Sequence, residues 1–130
     1  MEQKSGGGKD NRLFFRFEYP APVRYRFAKK TEPGKYMVSP WFKGVGVDFS
    51  GGGGALNIGK PLPAKTLVLM EIKFPYSDDP VIATAEVVRR IDVEYKGAKV
   101  SQISFKYLLI NSNVQDRMIS FIISRGKSTL

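Results

Sequence analysis

Two short clusters in this chain combine residue types and spacings that can do recognition chemistry. Arg12-Leu13-Phe14-Phe15-Arg16 places two arginines four positions apart. Asp48-Phe49-Ser50-Gly51-Gly52-Gly53 places a carboxylate and a hydroxyl two apart, ahead of a glycine run. A planar guanidinium donates two parallel hydrogen bonds to paired acceptors such as O6 and N7 of guanine. A carboxylate or hydroxyl accepts from N–H donors on the opposite base edge. Glycines let a backbone approach phosphate closely and offer its N–H groups. Each cluster alone has a plainer explanation. The arginines could be a solvated face, Asp-x-Ser could be turn chemistry, and the glycines could form a flexible hairpin loop. Together, in this order, they meet the demands of a guanine nucleotide.

Composition narrows the chemistry further. The chain has no cysteine and no histidine, which removes disulfides, thiolate nucleophiles, the commonest general base and the commonest zinc ligand. No metal site and no catalytic residues are expected, and the chain reads as a binding protein, not an enzyme. The remaining carboxylate pairs, Asp78-Asp79 before Pro80 and Asp92 with Glu94, read as exposed charge. Lysine and arginine outnumber aspartate and glutamate by 21 to 12, a net +9, so partners should be anionic. No apolar run reaches the roughly 18 residues of a membrane span. The first ten residues lack a signal-peptide core, and a cytoplasmic location is expected.

The elements that must carry these clusters follow from periodicity. Phe15, Phe17 and Tyr19 alternate with charge, Pro20 and Pro22 interrupt, and Val23, Tyr25 and Phe27 resume the alternation. Further strands are expected near Val45–Phe49, Thr66–Phe74, Val81–Asp92 and Val100–Leu109, with turns at Pro33-Gly34 and Lys96-Gly97. About six strands at short spacing suggest an antiparallel barrel, closed or nearly so. The period then changes. Val114, Met118, Phe121 and Ile122 share one helical face, over about residues 112–125. Ser112 with Gln115 forms a candidate capping box, and Gly126 a stop. Residues 1–10 read as a flexible tail or linker, 11–126 as one domain and 127–130 as a tail. Asp48 and Ser50 share strand parity, so both side chains point to one side. Gly54–Lys60 spells the opening of a Walker loop, but Pro61 stands where Ser or Thr must bind magnesium, and Pro63 disfavours the following helix.

The pair of clusters resembles the signature of the PilZ family, R-x-x-x-R followed by [D/N]-x-S-x-x-G, matched here by Arg12/Arg16 and Asp48/Ser50/Gly53. The resemblance extends over Asn11 to Arg125 and includes Pro22 to Tyr25, Val87 to Arg89 and Gln115 to Ile119. It implies an all-β fold, a six-stranded antiparallel barrel with a C-terminal helix, that binds cyclic di-GMP as ligand without a cofactor. By position, Arg12 and Arg16 would clamp guanine and phosphate, Asp48 and Ser50 would contact the other base edge, and Gly53 would keep the turn tight. The residue before the first arginine is basic in many relatives and associated with a stacked ligand dimer. Here it is Asn11, with Lys9 two positions earlier, and both are candidate secondary contacts. Such domains signal to a protein partner or neighbouring domain in flagellar-motor control or exopolysaccharide synthesis. Trp41 has no role in this reading.

Two other readings fit parts of the pattern. One is an OB-like barrel that binds single-stranded nucleic acid on exposed aromatics. The other is a ligand-independent interaction module. Salt separates the first from a cyclic dinucleotide receptor: single-strand affinity should fall with a log–log slope of about −0.7 per neutralised phosphate. A two-phosphate ligand held largely through its bases should give a much shallower slope in the same fluorescence titration.

Overall fold

Closure of the sheet begins with one long strand. In the computed structural model, which describes residues 15–125 and 127–128, β2 (Pro22–Glu32) uses both edges. One edge pairs Val23–Ala28 with β6 (Leu67–Ile72). The other pairs Pro22–Tyr25 with β4 (Phe42–Phe49), then Ala28–Glu32 with β3 (Lys35–Val38). From β6 the pairing runs antiparallel through β7 (Val81–Tyr95), β8 (Ala98–Ile110) and β5 (Gly53–Ile58) to β4. The β2–β4 contact therefore closes a ring of six strands. Closure removes the exposed edges from the ring itself and leaves β3 as an edge strand outside it.

Three of the described strands lie outside the ring. β1 (Phe15–Glu18) follows β2 along the same edge of β4, with Phe17 opposite Phe49 and Glu18 opposite Asp48. β9 (Lys127–Ser128), in the segment expected to be a tail, pairs with the outer edge of β1. β3 ends the sheet at the other side. The expected count of six barrel strands holds, but its membership changes by one. The strand at residues 15–18 is an appendage, and β5 takes its place in the ring.

The apolar alternation points where it should. Val23, Tyr25, Phe49, Met70, Ile72, Ala85, Val87 and Ile103 are buried inside the ring. The expected turns are present: Gly34 at φ 78° follows Pro33, and Lys96 (φ 51°) with Gly97 (φ 81°) joins β7 to β8. Two successive positive φ values match the hairpin turn whose twist suits paired strands. The failed Walker segment is strand β5 followed by a bend, with no helix.

The helix, α1 (Ser112–Arg125), packs against β1 and adds Met118 and Ile122 to the barrel core. At 14 residues it would be marginal in water by itself, so its stability comes from burial. Met118, Ile119 and Ile122 are buried, and each such side chain contributes about 1.5–3 kcal/mol. Phe121 meets Phe17 edge-on at 4.9 Å and packs on Tyr76 at the same distance. Among the described residues no helix is long and apolar enough to cross a membrane.

The expected capping box is corrected by the geometry. Asn111, not Ser112, caps the helix: its Oδ1 accepts the Val114 N–H at 3.1 Å and its carbonyl accepts the Gln115 N–H at 2.8 Å. The Gln115 side chain is used elsewhere, so the reciprocal half of the box does not form. Replacing Asn111 by Ala should lower unfolding free energy by about 1 kcal/mol in urea denaturation. Ser112→Ala should change it by less than about 0.5 kcal/mol.

Candidate functional site

The site is built at the end of β4. Phe49 is fully buried and meets Phe74 edge-on at 4.9 Å. Strand alternation therefore turns its neighbours Asp48 and Ser50 outward, and both are only partly buried. A register shift between Gly46 and Asp48 leaves Val47 as an extra residue in β4. Bulges of this kind bend a strand and re-aim the side chains beside it. Gly46 makes the bend sterically feasible, because a Cβ there would lie 2.6 Å from the Phe49 ring.

β1 then brings Arg16 to Asp48. Arg16 Nη2 donates to Asp48 Oδ2 at 2.8 Å, across 32 residues of sequence. The bond to Asp48, then the attraction of its charge, raises the Arg16 guanidinium above its ordinary value. The arginine side chain is 50% exposed. An ion pair so open to water contributes at most about 1 kcal/mol, so it is too weak to be a stability device. It uses one of the five N–H donors of the guanidinium.

Ser50 and the glycines form the turn beyond β4. The Ser50 N–H donates to the Gly53 carbonyl at 2.8 Å, and Ser50 Oγ donates to the same oxygen at 3.2 Å. The hydroxyl thus does the turn chemistry its sequence context allows, while its own lone pairs can still accept. Gly51 and Gly52 lie between. The Tyr107 N–H holds the Gly52 carbonyl at 2.9 Å, and Gln115 Nε2 holds the Gly51 carbonyl at 2.9 Å. The helix and β8 therefore both pin the loop.

Gly53 is where space is tightest. A Cβ there would stand 2.0 Å from the Phe105 carbonyl oxygen, and at Gly54 it would stand 2.4 Å from the Asp48 carbonyl oxygen. Neither position admits a side chain without moving backbone. Gly52 meets nothing within 4 Å. Below the loop, burial first and then neighbouring Tyr76 push the Tyr107 hydroxyl up. That hydroxyl donates to Met118 Sδ at 3.6 Å, a link between β8 and the buried face of α1.

The structure thus joins Arg16, Asp48, Ser50 and Gly53 in one surface region. Arg12, Lys9 and Asn11 lie outside the described residues. Sequence reasoning did not assign Gln115 and Gly54 to the site. Gly54 belongs to the same glycine run, and Gln115 drew attention only as a cap. A cavity of about 650 Å³ shares no lining residue with this region. No cluster of His, Cys, Asp and Glu able to hold a metal exists among the described residues.

With this geometry in view, comparison with known proteins is decisive. The model of the PilZ domain family matches residues 10–124. The chain belongs to the PilZ domain family. A search by sequence among curated proteins finds no significant match. Several solved structures share the fold of this PilZ domain. It is similar to the Bacillus subtilis inhibitor of motility MotI/DgrA, at 16% identity and TM-score 0.65, over 88% of this chain and 50% of that one. It therefore spans half the length of that protein. It is also similar to the PilZ domain of YcgR from Escherichia coli, solved with c-di-GMP, at 17% identity and TM-score 0.61, over 88% of this chain and 90% of that one. A third is the PilZ domain of CeSA from a cellulose-synthesizing bacterium, at 21% identity and TM-score 0.53, over 84% and 95% of the two chains.

The packing at the glycines yields a paired expectation. Gly53→Ala should destabilise the PilZ domain by about 1–3 kcal/mol through forced backbone movement. Gly52→Ala, facing open space, should stay within about 0.5 kcal/mol of the parent in the same thermal melts.

Proposed function

We propose that this PilZ domain binds cyclic di-GMP and acts as a non-enzymatic receptor. The observation that carries the reading is the convergence of Arg16 with Asp48 at 2.8 Å beside the Ser50–Gly53 turn. A guanidinium, a carboxylate and a hydroxyl stand together on an open surface, in the order of the family signature. The Escherichia coli relative, solved with this ligand, supports the same choice.

In this reading Arg12 and Arg16 clamp guanine and phosphate. Asp48 and Ser50 accept from the N–H groups of the other base edge, with Asp48 keeping its contact to Arg16 and Ser50 keeping its bond to Gly53. Gly53 keeps the turn tight. Lys9 and Asn11 add secondary contacts, and no cofactor or metal takes part. The ion pair is exposed enough for a nucleotide to share its two partners. The ligand draws Arg12 and the residues before it toward Arg16, which β1 already holds beside Asp48, and a protein partner or neighbouring domain reads that change. The output is regulation of motility or of exopolysaccharide synthesis in the cytoplasm, in line with the inhibitor of motility and the cellulose-linked domain among its structural relatives. The binding unit is residues 11–126, preceded by a tail or linker.

Isothermal titration of the full chain tests this directly, with GTP and the linear dinucleotide as controls. Cyclic di-GMP should bind and the controls should not. Arg16→Ala should weaken binding by about 1–3 kcal/mol while leaving the melting temperature within a few degrees, since the ion pair adds little stability. Equal affinity in the variant, or no binding by the parent, rejects the reading.

A further inference from the structure

A second surface of this domain is equipped for a different kind of partner. β3 ends the sheet and, among the described residues, pairs only with β2. All four of its residues are exposed, including Tyr36 at 55%, Met37 at 66% and Val38 at 56%. An edge strand offers unpaired backbone N–H and C=O groups to any extended chain that approaches. Exposed edges are ordinarily blunted by charge or proline, whereas three of these four residues are apolar.

On the β6 side of the β2–β3 hairpin lies the cavity of about 650 Å³, within the range of ligand-binding clefts, to which β3 contributes Tyr36. Its apolar walls include Phe27, Tyr36, Leu62 and Leu67. Lys29, Lys30 and Lys65 line it as well, with Glu86 the one carboxylate among its lining residues. Glu86 is itself paired with Lys106 at 3.3 Å. Among the described residues no carboxylate lies within salt-bridge distance of Lys29, Lys30 or Lys65. The cavity is apolar inside and cationic around it.

Lys65 is also held in a strained conformation. It has φ 74° in the Pro63–Thr66 turn, which is closed by the Thr66 N–H and Thr66 Oγ1 on the Pro63 carbonyl. Glycine relieves such strain at no steric expense. The chain uses glycine at φ 78° in the Pro33-Gly34 turn but lysine here, as it does at Lys96 in the β7–β8 hairpin. Lys65, unlike Lys96, is among the residues that line the cavity.

We propose that the face of the β2–β3 hairpin and its cavity form a docking site for an extended, acidic segment of a partner protein that carries aliphatic or aromatic side chains. The segment crosses the exposed apolar residues of β3 at Tyr36, seats an apolar side chain in the cavity and places its carboxylates against Lys29, Lys30 and Lys65. A polypeptide fits better than a nucleic acid, because the cleft is apolar and Tyr36 is the one large aromatic more than half exposed beside it. The inference does not rest on cyclic di-GMP binding, since the two regions share no residue.

The test is fluorescence anisotropy of the full chain with a set of short fluorescein-labelled peptides alternating glutamate or aspartate with valine, leucine or phenylalanine. Matched peptides carrying lysine, and a labelled oligothymidylate, serve as comparisons. Acidic peptides should bind, and lysine peptides should not. Lys65→Gly should weaken binding about tenfold or more while the melting temperature holds or rises, because the strain is gone. Tyr36→Ser should weaken it similarly, and saturating cyclic di-GMP should not compete. The proposal is overturned if no acidic peptide binds, if lysine peptides or oligothymidylate bind as well, or if Lys65→Gly binds like the parent. It is also overturned if sedimentation shows a dimer of this chain that Tyr36→Ser dissolves, since a second copy would then occupy this face.

Discussion

The Phe105 carbonyl oxygen sits where any side chain on residue 53 would have to go. That single close approach lets β5 lie against β8 and begin immediately after the Ser50 turn. If Gly53 carried a Cβ, the turn would have to move outward and Ser50 would lose its anchor on the Gly53 carbonyl. Asp48 would shift with it, because Gly54 packs directly on the Asp48 carbonyl. The chemistry of the candidate site is on the surface, but the constraint that positions it lies in the backbone packing beneath. Two missing methyl groups, at Gly53 and Gly54, matter more to its geometry than any charged pair.

The other supports come from a distance in sequence. Phe49 locks one face of β4 into the core, which leaves Asp48 and Ser50 no choice of side. β1 is held on two sides, by β4 and β9, and from above by Phe121 on Phe17. Gln115 fastens the glycine loop to the same helix that buries Met118 and Ile122 in the core. The helix α1 therefore touches both the strand that carries Arg16 and the loop beyond Ser50.

Much of this was legible in the residues alone, and the misses have physical causes. Alternation in Val23–Phe27 and Val81–Asp92 identified barrel strands because one face of each is buried. The helix was visible because Val114, Met118, Phe121 and Ile122 repeat at its period. β5 was hidden by Gly53 and Gly54, which lower strand propensity in general yet here are required by a neighbouring carbonyl. β3 was hidden because Lys35–Val38 buries neither face and so shows no period. Asn111 was overlooked as cap because Ser112 and Gln115 offered a more familiar pattern, and only tertiary contact shows that Gln115 is engaged by Gly51. Trp41, which had no role in sequence, lies under the guanidinium groups of Arg24 and Arg26 at 4.5 and 5.1 Å, a surface stack on the outside of β2.

The net charge of +9 exceeds what a ligand with two phosphates can neutralise, and Arg24, Arg26, Lys29 and Lys30 of β2 lie away from the Arg16–Asp48 region. The proposed ligand and the proposed acidic segment would meet different parts of that charge. Nuclear magnetic resonance of the isotopically labelled chain during titration with cyclic di-GMP separates the regions most directly. The account predicts that the Arg16 side-chain signal and the Ser50–Gly53 amides shift, while Lys65 and Thr66 stay in place. Shifts gathered at the cavity, with the Ser50–Gly53 turn unmoved, would contradict it.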